Sequence, residues 1–71
     1  MTNMTKTDLE KIEFLSSLLK QRKIGKSDFV FELQELLSID SINVIEEENS
    51  LIIETPLYKV LIGKLKTEIK F

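Results

Sequence analysis

One change of hydrophobic period, at Ile42, governs what this chain can fold into. Before it, apolar residues recur at three- and four-residue steps. After it they alternate or run in short β-branched groups. The first pattern lines one face of a helix, and the second builds pleated strands. No strand precedes the helices and no helical stripe follows Ile42. The segments after it are joined by short turns, which fixes antiparallel pairing.

In the helical half, Thr7-Asp8-Leu9-Glu10 has the spacing of a capping box. Leu9, Ile12, Leu15, Leu18 and Leu19 form the stripe behind it, and Lys20, Arg22 and Lys23 fall in the last turn, where cations complement the helix dipole. With Gly25 as the stop, the first helix is expected over about 8–23. Ser27 offers the next N-cap, with Asp28 in the first turn. Phe29, Val30, Leu33, Leu36 and Leu37 give a second buried stripe, over about 28–38. The short link predicts an antiparallel αα-hairpin. The polar start, residues 1–6, is expected to be disordered.

Strands are expected at about 42–47, 51–55, 57–62 and 65–70. Glu48-Asn49-Ser50 supplies one turn and Thr55-Pro56 a break, because proline cannot donate to a ladder. Gly63-Lys64 reads as a two-residue type II′ turn with glycine in first position. That register sets Ile62 against Leu65, Val60 against Thr67, Tyr58 against Ile69, and Lys59 against Glu68. The expected fold is α+β, an N-terminal antiparallel αα-hairpin on one face of a three- or four-stranded antiparallel sheet. The chain, 1–71, reads as a single domain.

A chain of 71 residues buries only about 60% of its unfolded surface, and disulfides or metals often compensate. Neither route is open, since the sequence has no Cys and no His. The same absence removes the usual nucleophile–base pairs and zinc ligands. Two glycines make no phosphate loop. Glu46 and Glu48, two apart on a strand, form the one carboxylate pair that could act as acid and base. Solvated charge at a hairpin tip is the simpler account of them. The Asp40–Asn49 stretch lacks the spacing of a calcium loop. No enzyme activity, cofactor or metal is expected.

Charge is segregated along the chain. Lys20, Arg22, Lys23 and Lys26 sit together without an acid. Asp28 to Glu54 carries only acids, and the tail after Pro56 carries Lys59, Lys64, Lys66 and Lys70 against Glu68. The basic cluster has the makings of a nucleic-acid footprint. A recognition helix does not accompany it, because the second helix carries Asp28, Glu32 and Glu35 and no base. The acidic run raises the opposite idea, a mimic of nucleic acid.

The strongest functional signal is apolar surplus. Leu51-Ile52-Ile53 and Val60-Leu61-Ile62 put apolar atoms on both faces of a sheet that two helices can cover on one side only. Ile45, Ile52, Leu57 and Leu61 are expected on the uncovered face as an apolar anchor. Glu54, Lys59 and Lys66 are expected at its charged rim. The sequence thus predicts a non-catalytic protein-binding module, a small regulator or inhibitor with a protein partner or a second copy of itself (a homodimer). The alternative is nucleic-acid binding through Lys20, Arg22, Lys23 and Lys26. Absence of Ala, with Ile and Lys abundant, carries the bias of a low-GC bacterial or phage genome. No apolar run reaches membrane-span or signal-peptide length, so a cytoplasmic setting is expected.

Overall fold

The computed structural model describes residues 4–71, so the expected disorder at positions 1–3 lies outside the described residues. Positions 4–6 are structured, contrary to expectation. Helix α1 spans Lys6–Lys20 and is capped by Thr5. The Thr5 Oγ1 accepts from the Asp8 N–H at 3.1 Å, and the Asp8 carboxylate accepts from the Thr5 N–H at 3.3 Å. The capping box is therefore Thr5–Asp8, two residues before the expected Thr7–Glu10. Met4 and Leu9 explain the choice. Both pack against the core, and capping at Thr5 puts them at the two positions of a hydrophobic staple.

The end of α1 also differs from expectation. The Arg22 N–H donates to the Leu19 carbonyl at 3.0 Å, and the Lys23 N–H to the Leu18 carbonyl at 2.9 Å. This is a Schellman motif, with Arg22 as the left-handed residue at φ 61°. Gly25, at φ −84°, does not stop α1 but N-caps α2, Lys26–Leu37, without a side-chain hydrogen bond. Ser27, the expected cap, lies inside the first turn. Ser38, at φ 55°, ends α2. The Gln34 side-chain amide then holds the Asp40 carbonyl at 2.6 Å, tying down the link to the sheet.

Four strands follow, β1 Asn43–Glu46, β2 Leu51–Glu54, β3 Lys59–Ile62 and β4 Thr67–Lys70, in the order β1-β2-β3-β4. Every pairing is antiparallel. Each hairpin closes alike: the Glu47 N–H donates to Ser50 at 2.9 Å, Thr55 to Tyr58 at 2.9 Å, and Gly63 to Lys66 at 3.0 Å. The turn tips are accordingly Glu48-Asn49, Pro56-Leu57 and Lys64-Leu65. The expected Gly63-Lys64 turn is displaced by one residue, and no glycine has positive φ, as a type II′ turn would need. Val60 thus pairs with Ile69, Ile62 with Thr67, and Lys59 with Lys70 rather than Glu68. The observed register extends the inner row Val44-Ile53-Val60 to Ile69. β3 begins at Lys59, so Leu57 is a turn residue, not a strand residue.

The inner face of the sheet meets the helices in one core. Ile12, Leu19, Phe29, Leu33, Leu51, Ile53 and Val60 are its fully buried side chains. Ser16 is buried among them with its hydroxyl donated to the Ile12 carbonyl at 2.7 Å, so it brings no unpaired group inside.

Three substitutions test these features. Thr5→Ala is expected to cost about 1 kcal/mol in urea unfolding, and Thr7→Ala under about 0.5 kcal/mol; a capping box at Thr7 would reverse them. Gly63→Ala is expected to leave stability unchanged or raise it by about 0.4–1 kcal/mol. An added Cβ there meets only the Lys66 carbonyl at 3.5 Å, an ordinary contact.

Candidate functional site

The face of the sheet turned away from the helices consists of three cross-strand rows. The central row is Ile45-Ile52-Leu61-Glu68, with each residue directly opposite the next. Ile45 is 37% exposed, and Ile52 and Leu61 are half-buried. On one side runs Asn43-Glu54-Lys59-Lys70. On the other, the turn closures align Glu47, Ser50, Gly63 and Lys66. A shallow hollow of about 550 Å³ lies over Ile52, Leu61 and this last row.

The sequence-predicted anchor residues therefore divide. Ile45, Ile52 and Leu61 stand side by side in one row. Leu57 is separated from them, 55% exposed in the Pro56-Leu57 turn. Thr55 organises that turn: its hydroxyl donates to the Tyr58 carbonyl and accepts from the Leu57 and Tyr58 N–H groups. Glu54 and Lys59, predicted for the rim, are direct cross-strand partners with their charges 3.4 Å apart. Lys66 ends the β3–β4 turn, 3.9 Å from Glu68.

Glu54 is the best-anchored charge on this face. The Asn43 side-chain amide donates to it at 3.1 Å. That bond, followed by the contact with Lys59, holds its carboxyl below the ordinary value of 4.5.

The basic cluster is met by acidic and carbonyl groups of the β1–β2 hairpin. The Lys20 ammonium donates to the Glu47 and Ser50 carbonyls at 2.9 and 3.2 Å. Arg22 lies 3.7 Å from Glu46. Lys23, in the interhelical link, and Lys26, the first residue of α2, are exposed. Glu46 is thus turned toward the end of α1, while Glu48 stands at the turn tip. Beside Lys20, a groove of about 490 Å³ with mixed lining separates α1 from the β1–β2 and β3–β4 turns. The Thr67 hydroxyl closes part of it by donating to Glu13 at 2.6 Å. Among the described residues no His, Cys, Asp and Glu side chains group to hold a metal ion. No helix there is long and apolar enough to cross a membrane.

Sequence reasoning missed three exposed apolar side chains on turns and helices: Phe14 at 64%, Phe31 at 57% and Leu65 at 98%. Phe14 and Phe31 lie two residues beyond the buried Ile12 and Phe29, which puts them on the opposite side of their helices. That off-stripe position was readable. The hidden Tyr58 was not. Its ring meets Phe71 edge-on at 5.9 Å, and its buried hydroxyl has no hydrogen-bond partner. Burial, with Asp8 adding negative charge nearby, pushes its pKa above the ordinary 10.0. Compared with protein-family models, curated proteins and solved structures, the chain matches none.

Because the folded value of Glu54 lies below its unfolded one, its contribution to stability is present above about pH 4.5. It is lost as the pH falls through the folded value. In a carboxyl NMR titration, Glu54 is expected to protonate at lower pH than an unperturbed glutamate. Asn43→Ala is expected to move it upward.

Proposed function

We propose that this protein is a non-catalytic protein-binding module, a small regulator or inhibitor that docks through the outer face of its sheet. The observation that carries the reading is the row Ile45-Ile52-Leu61, apolar across three strands and flanked by charged rows. Apolar surface arranged this way removes water on contact, while the flanking charges select the partner and its orientation. Of the carboxylate pair weighed for acid–base work, Glu46 faces Arg22 and Glu48 stands at the β1–β2 turn tip. The proposal places the module in the cytoplasm, and its size and composition suit a phage or plasmid gene of low GC content.

Site-specific photo-crosslinking in cells tests the reading. A photoreactive residue at Ile45 is expected to yield discrete protein adducts. The same residue at the exposed Lys11, on the helical layer, is expected to yield none. Equal labelling from both positions, or none from Ile45, would remove the sheet face as a docking surface.

A further inference from the structure

The outer face is not only amphipathic but dipolar. Its β1–β2 half carries Glu47 and Glu54, and its β3–β4 half carries Lys59, Lys66 and Lys70 against the single acid Glu68. We infer that the occupant of this face is a second copy of the same chain, packed face to face about a two-fold axis that runs parallel to the strands between β2 and β3. The inference rests on the reading of this face as a protein-binding surface and names its partner.

A two-fold axis in that direction lays each row on the reversed image of itself. Glu54 then faces the partner's Lys59, and Lys59 faces the partner's Glu54. With the in-chain contact of 3.4 Å between the two, this makes a ring of four alternating charges. Glu47 faces the partner's Lys66 in the same manner. In the central row, Ile52 meets the partner's Leu61 on both sides of the axis. Only Ile45 falls opposite an unlike group, the partner's Glu68, and it does so at the sheet edge, where water reaches both.

The other two-fold arrangement, with its axis across the strands, stacks Ile45, Ile52 and Leu61 each on its own copy but is worse for the charges. It sets Lys70 against the partner's Lys66, sets Glu68 against itself, and leaves Glu54 over Ser50. Like charges brought together repel, whereas unlike charges fix register and orientation. An isologous contact needs a surface complementary to itself, and the axis along the strands makes the charged rows of this face so.

The area sets the strength. Four strands at ~4.8 Å spacing and three rows of residues cover roughly 350 Å² per copy. The pair therefore buries roughly 700 Å², below the ~1,200 Å² at which stable interfaces begin. The dimer is accordingly weak and forms at high protein concentration.

Charge reversal tests the geometry. Sedimentation velocity up to about 1 mM protein is expected to show the average mass rising with concentration, less so in high salt. Glu54→Lys sets lysine against lysine across the axis, and Lys59→Glu sets glutamate against glutamate. Each variant alone is expected to associate at least tenfold more weakly than the unmodified chain. Their equimolar mixture is expected to recover association, because lysines at both positions of one chain then face glutamates at both positions of the other. Thermal melts of each variant confirm that it is folded.

A chain that stays monomeric to about 1 mM would overturn self-pairing. If Ile45 still cross-linked to a different protein, the docking face itself would stand. Association that neither variant weakens, or that the mixture fails to recover, would overturn the proposed axis and partner contacts.

Discussion

Everything in this structure hangs on a single apolar layer between two helices and one face of a four-stranded sheet. Phe29, Leu33, Ile12 and Leu19 supply it from the helices, and Leu51, Ile53 and Val60 from the sheet. A strand has two faces by construction, and two helices of this length form one layer. The outer face therefore has to be stable against water by other means. It relies on cross-strand pairs, each contributing about 0.2–1 kcal/mol. Glu54 with Lys59, and Ile52 with Leu61, are two chemically different solutions to that requirement on adjacent rows of the same strands. Tyr58 joins the same core, with its ring edge-on to Phe71 at 5.9 Å.

The sheet order equals the chain order, and this converts a property of the sequence into a property of the surface. Acids concentrated before Pro56 and bases after it become an acidic half and a basic half of one face, because β1 and β2 lie on one side and β3 and β4 on the other. A crossover that placed β3 or β4 between β1 and β2 would have interleaved them. The basic cluster at the end of α1 reaches the acidic half from the opposite side. Lys20 and Arg22 meet Glu47, Ser50 and Glu46 there, so the β1–β2 hairpin is balanced from within its own chain. On the β3–β4 side, Lys59 meets Glu54 and Lys66 lies beside Glu68.

Much of this was legible before any coordinates. The two helical stripes, the change at Ile42 and the parity of the strands identified both helices, all four strands and which of Ile45, Ile52 and Leu61 would share a face. What escaped was decided by terms that local pattern does not contain. Thr5 and Thr7 are equally good caps in isolation, and the tertiary placement of Met4 and Leu9 chooses between them. Arg22 holds a left-handed conformation that costs a non-glycine residue about 1–2 kcal/mol, so the nearby Gly25 was the natural but mistaken stop. The β3–β4 register turned on one residue. Opposite charges at Lys59 and Glu68 favoured one turn, and packing of Ile69 beside Val60 favoured the other. An exposed ion pair contributes only about 0–1 kcal/mol, too little to hold the register against packing of the half-buried Ile69 beside Val60.

The same comparison bears on why the outer face is built as it is. If cross-strand pairing were its whole purpose, threonine or charge pairs would serve the central row as well as they serve the row beside it, and would leave no apolar atoms in water. Instead Ile45, Ile52 and Leu61 are placed where the helices cannot reach them, in the middle of the face, with charge confined to the rows around and to the Glu68 edge. An apolar centre within a polar rim is the arrangement found where two protein surfaces meet. Here the rim also changes sign from one side to the other. Under the proposed docking reading, a partner of uniform charge would be attracted to one half and repelled by the other, which favours a partner with its own segregation of charge.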